Sequence, residues 1–203
     1  MIAQDWDRTI WIDLEDNQIL KPKENDVPLL EKEEVIKHYP KLDGYKKISK
    51  KKERNLKEEA KFFFEHAKYI LSIDGYHLPI AILLYPDRHA NIFGLQMQNR
   101  AEKHLMYRKL AADIEKSGAN GIIVIAESWV LLLDKEKKSI HPNRQEGLIL
   151  IAANSNGEVY THATMFTKEK NGKITFGKES IDFSKESLFF LTPIINVWRK
   201  QKS

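Results

Sequence analysis

The sequence predicts an α+β fold, a mainly antiparallel sheet of five to six strands with helices packed against it, preceded by an N-terminal extension. Three observations predict it. Between Arg54 and Ser72 the apolar positions Leu56, Ala60, Phe63, Ala67 and Ile70 recur at steps of four and three, the spacing of an amphipathic helix. From Ile122 to Thr167, apolar runs of strand length follow one another. The connections between those runs are short, as antiparallel neighbours require. The expected order is helix, strand, strand, helix, three or four strands and a closing helix.

Residues 1–50 read as an extension, and 51–203 as a single α+β domain. Within the extension, Thr9 to Leu14 alternate in polarity as a half-buried strand does, and Leu29 to His38 suit a short helix between Pro28 and Pro40. The amphipathic helix that follows ends at the turn signal Asp74–Gly75. Leu78 to Tyr85 and Ile92 to Met97 form a strand pair around the turn at Pro86 to Asn91. Asn99 is placed to cap a helix over Arg100 to Lys116, with Glu102 where a capping-box carboxylate reaches back and Gly118 where the helix stops. Strands are expected at Ile122 to Leu133, Gly147 to Asn154 and Glu158 to Thr167, with a weaker one at Lys173 to Phe176. Ser184 or Thr192 caps a last helix ending near Arg199.

The pair Asn156–Gly157 suggests a two-residue hairpin loop, which sets Ala153 opposite Tyr160 and Ile151 opposite His162. If the preceding loop is symmetric about Ser139, Glu127 also lies opposite Ile151. Glu127, Ile151 and His162 then form one row across three strands on a solvated or partly covered face.

Composition narrows the function classes. The hydrophobic fraction is 42% and the charged fraction 31% over 203 residues, as in a folded, solvated protein. The start, MIAQDWDRTIW, lacks the basic head and apolar core of a secretory signal, and the longest apolar run is broken by Glu127, so a cytoplasmic protein without a membrane span is expected. With no cysteine there is no disulfide, thiolate zinc site or cysteine nucleophile. The seven histidines never take helical zinc spacing, and the glycines form no phosphate loop, so no metal or cofactor is expected. Pro86, Asp87, Arg88 and His89 read as a turn rather than a nuclease site.

Candidate residues fall in three groups. Glu127 and His162, with Arg144 to hold an anion, are the acid–base candidates: a carboxylate within a strand gains catalytic use when burial raises its pKa. Trp129 and Tyr160 are aromatic residues of the kind that anchor interfaces. Lys50, Lys51 and Lys52 centre a basic segment, residues 41–61, in which nine cationic side chains meet four acidic ones. Such a segment binds phosphate without reading sequence, although Glu53, Glu58 and Glu59 interleave with Lys57 and Lys61 as on a solvated helix face.

Glu-Ser-Trp at 127–129 followed by Asn-Arg-Gln-Glu at 143–146 resembles a group of uncharacterised bacterial and phage proteins over Asp74 to Thr167. That resemblance implies no catalytic role. In element order the chain also resembles the roadblock and profilin-like sheets of regulatory proteins. The function expected from these readings is an interaction or regulatory module with a protein partner or a homodimer. The alternatives are a small-molecule hydrolase using Glu127 and His162, and a nucleic-acid binder using the basic segment.

Overall fold

The computed structural model describes residues 11–12, 19–20, 29–30, 55–86, 90–97, 100–133, 140–184 and 189–202; in some stretches, 129–133 and 140–144 among them, only the backbone is described. In chain order the elements are β1 (Trp11–Ile12), β2 (Ile19–Leu20), β3 (Leu29–Leu30), α1 (Leu56–Asp74), β4 (Ile80–Leu84), β5 (Asn91–Leu95), α2 (Arg100–Ser117), β6 (Gly121–Leu133), β7 (Ile140–Asn154), β8 (Val159–Lys168), β9 (Ile174–Ser184), a 3₁₀ turn (Phe189–Leu191) and α3 (Thr192–Lys202). β1 and β2 pair as a small hairpin, and the main sheet runs β3-β5-β4-β6-β7-β8-β9. Every pairing in it is antiparallel. The fold is α+β.

Local sequence explains how the helices begin and end. Asn55 accepts a hydrogen bond from the Glu58 amide at 2.9 Å, and the Glu58 carboxylate accepts one from the Asn55 amide at 3.3 Å, so α1 starts with a complete capping box. Gly75, at φ 76°, ends α1 by donating to the Leu71 carbonyl. Gly118, at φ 72°, ends α2 by donating to Ile114.

The helices cover both faces of the sheet. α1 packs Phe63, Phe64, Ala67 and Ile70 over Ile80 and Ile82 of β4, Ile123 and Ile125 of β6, and Leu148 and Leu150 of β7. On the opposite face, α2 and α3 pack Leu110, Ile114, Ile194 and Trp198 over Ala81, Leu83, Ile122 and Val124. Trp198 donates its indole N–H to the Ala119 carbonyl at 2.8 Å, which satisfies its polar edge inside this layer. Two-sided burial is why β6 begins as an unbroken apolar run instead of an alternating one.

Three expectations are corrected. Leu29 and Leu30, expected to open a helix, form an edge strand on β5, while the rest of that stretch lies outside the described residues. The β7–β8 loop has three residues, because the Asn154 side chain accepts the amides of Asn156 and Glu158 and Gly157 takes φ 81° at the third position. Tyr160 therefore pairs with Ala152 and His162 with Leu150, one residue from the expected register. In the third, Glu127 pairs with Leu148, not Ile151. A one-residue slip exchanges the faces of a strand, so His162 and Tyr160 share a face with Leu148 and Leu150. α1 covers this face, which was expected to be solvated or partly covered.

Candidate functional site

Under α1, at the β8–β9 end of the sheet, polar side chains gather around His162. The imidazole is 2% exposed. Phe64 stacks on it, with centroids 3.8 Å apart and planes 20° apart, and Tyr160 meets it edge-on at 6.0 Å. Nε2 lies 2.8 Å from Glu179 Oε2, and Lys68 Nζ lies 2.6 Å from Glu179 Oε1. An ionised carboxylate only accepts, so Nε2 carries the proton in this contact. Nδ1 of His162 and the hydroxyl of Tyr160 are buried without a hydrogen-bond partner among the described residues.

A β-bulge brings Glu179 to this position. β8 and β9 change register between Thr164, opposite Glu179, and Phe166, opposite Phe176, so Gly177 and Lys178 together face Met165. Thr164 fastens the bulge by donating to the Gly177 carbonyl at 3.1 Å. The Lys68 hydrogen bond is the main influence on the Glu179 carboxyl; with His162 it outweighs desolvation and holds the pKa below the usual carboxylate range. Desolvation pulls the Lys68 ammonium down, but Glu179 and Glu65 together outweigh it and hold the pKa above its ordinary value. Burial, reinforced by the charge of Glu179, raises the Tyr160 phenol.

Glu127 belongs to a second cluster. It receives the backbone amide of His77, and its other oxygen lies 3.3 Å from Lys168 Nζ, which also approaches Glu146 at 3.6 Å. His77 is buried, and desolvation lowers its pKa to about 4, against a smaller opposing effect of a backbone hydrogen bond at Leu78. Glu127 and His162 thus share a face but not a row: Glu127 aligns with Leu148, Thr164 and Glu179, and His162 with Ile125, Leu150 and Ile181. Each pairs with a different side chain, and no hydrogen bond joins the two among the described residues.

The remaining sequence candidates are placed differently. Arg144 pairs with Leu131 and Trp129 with Glu146 in the β6–β7 ladder, where only their backbone is described. Tyr160 is 0% exposed, so its ring packs in the chain's own core instead of presenting a surface. Lys50, Lys51 and Lys52 lie outside the described residues, as do Asp87, Arg88 and His89. Among the described residues no three acidic or histidine side chains are grouped to hold a metal ion, and no helix is long and apolar enough to cross a membrane.

Sequence reading missed Lys68, Glu179 and the outer half of β9. A signal was present: in Glu179-Ser180-Ile181-Asp182-Phe183, large and small or charged residues alternate as on a strand. Ile181 stands opposite His162 and Phe183 opposite Tyr160, on the α1 side of the sheet. Yet Ile181 is 49% and Phe183 51% exposed, on the terminal strand of the sheet.

The chain belongs to the family of bacteriophage lambda protein ea47, whose family model it matches over residues 1–203. No curated protein and no solved structure matches it.

Proposed function

We propose that this member of the bacteriophage lambda protein ea47 family is a cytoplasmic interaction or regulatory module whose contact surface is the β9 edge of its sheet. The observation that carries the reading is the exposure of Ile181 and Phe183 on a terminal strand of eleven residues. An exposed strand edge offers a row of backbone donors and acceptors to another strand, and two large apolar side chains beside it add burial. The Lys68–Glu179–His162 contacts hold the inner side of β9 against α1 and β8, so the outer side is presented on a firm support.

A photo-cross-linking amino acid at Ile181, in cells making the full chain, tests this. One adduct of discrete mass is expected, absent when the same group replaces exposed Lys170. No adduct from either position ends the reading.

A second reading keeps the hydrolase, because Glu179 orients the His162 imidazole and leaves Nδ1 with a lone pair, the state a general base needs. Against it stand the cover of Phe64 and α1 over His162 and the separate pairing of Glu127 with Lys168. His162→Gln separates the two, since loss of a measured hydrolysis with an unchanged fold would favour the enzyme. Nucleic-acid binding through Lys50, Lys51 and Lys52 comes third and requires an affinity that falls steeply with salt.

A further inference from the structure

We infer that the partner at the β9 edge is a second copy of this chain, paired antiparallel about a two-fold axis through Ile181; this rests on β9 being the contact edge. Three constraints fix the axis, and under it the edge is complementary to its own copy.

The first is parity. In an antiparallel strand the residues whose backbone groups point outward alternate with those pointing inward. When a strand pairs with its own copy, outward residues must face outward residues, so the axis passes through a residue and never between two.

The second is the regular length available. The bulge at Gly177 and Lys178 breaks the alternation on one side, and β9 ends at Ser184 on the other. Among the described residues, 179–184 form an uninterrupted ladder. An axis through Glu179 or Ser180 draws the bulge into the pairing, and one through Phe183 runs past Ser184, the last described residue of the strand.

The third is side-chain chemistry. An axis through Asp182 sets two like carboxylates directly opposite, which destabilises a pair. An axis through Ile181 sets Ile181 against its own copy, with Phe183 of each chain diagonal to Ile181 of the other. The two exposed apolar residues of each strand then form one cluster on the α1 side. On the opposite side Ser180 faces Asp182 of the other copy, a hydroxyl donor against an acceptor-only carboxylate, and symmetry makes the contact twice. The remaining pair is Glu179 with Phe183, and the Glu179 carboxylate is already held by Lys68 and His162. Of the available axes, Ile181 alone uses the regular ladder throughout and opposes no like charges.

The absence of cysteine makes the register directly measurable, since any thiol introduced is the only one in the chain. Residues facing themselves across an antiparallel pair have Cα atoms about 4.5–5.5 Å apart, within disulfide range. In the full-length protein, Ile181→Cys is expected to form a covalent dimer under mild oxidation at least tenfold faster than Ser180→Cys or Lys170→Cys. Sedimentation of the cysteine-free protein is expected to show a concentration-dependent dimer, which Ile181→Lys converts to monomer with an unchanged circular dichroism spectrum. A monomer up to high micromolar concentration, or Ile181→Cys cross-linking no faster than Lys170→Cys, overturns the inference. If the Ile181 photo-adduct then contains a different polypeptide, the contact-edge reading survives without the homodimer. If there is no adduct at all, both fall together. Preferential cross-linking through Ser180→Cys overturns the Ile181 axis.

Discussion

β6 and β9 are both long strands of one sheet, but they serve it differently. β6 enters with Gly121 to Ile125 all buried, between α1 on one face and the α2–α3 layer on the other. In β9 only Ile174 is buried among the side chains described, and the strand ends the sheet. The centre is held by apolar burial from two sides, each fully buried aliphatic side chain contributing about 1.5–3 kcal/mol. At the β8–β9 end, a bulge and a chain of charged contacts fix the geometry and leave apolar surface uncovered. The difference teaches that two-sided burial and exposed apolar surface lie in separate strands, so each can be altered with limited effect on the other.

The largest expected effect is at the centre. Ile125→Ala should cost about 2–5 kcal/mol in urea unfolding, as a cavity in a two-sided core does; a loss below about 1 kcal/mol would mean that β6 is not the stable half.

Next is the pH profile. His77 has its folded pKa lowered to about 4, so between there and about 6.5 the unfolded chain binds more protons. The stability from a neutral His77 is complete above about pH 6.5 and declines toward pH 4, by about 3 kcal/mol in all. His77→Asn should remove that slope, which urea midpoints across this range will show.

Glu179→Gln probes the edge. Its folded pKa is also depressed, so its contribution is present above the unfolded carboxylate value and is lost as pH falls through the folded one. At neutral pH the variant should lose about 1.5–3 kcal/mol, as expected for hydrogen bonds to a charged group, and should lose this acid dependence. A loss as large as that of Ile125→Ala would erase the contrast between the strands.

Asn55→Ala, which removes the side-chain half of the α1 capping box, should cost about 1 kcal/mol. The smallest effect is expected at the surface. Phe183→Lys should change the stability of the isolated chain by less than about 0.5 kcal/mol while abolishing association in sedimentation. Substantial unfolding instead would mean that Phe183 belongs to the core.

Much of the candidate site was legible only in part. His162, Glu127 and Tyr160 stood out because polar or aromatic groups interrupt apolar strands. Their partners did not, because Lys68 and Glu179 are 111 positions apart and look like ordinary surface charges until α1 crosses β9. Pairing the right residues required the hairpin register, and that turned on the Asn154 side chain opening a loop of three residues instead of two.

The sequence by itself determined the three helices from α1 onward, the strands β4 to β8 and their order. Helical spacing at Leu56 to Leu71, glycine stops at Gly75 and Gly118, and apolar runs in β4 and β6 to β8 are local properties that short-range sterics and hydrogen bonding express directly. Only the tertiary structure decided that both sheet faces are covered, that His162 lies beneath Phe64 and pairs with Glu179, and that Ile181 and Phe183 remain outside. Those outcomes depend on which strand neighbours which and at what register, and a one-residue shift turns every side chain of a strand to the other face at little local cost.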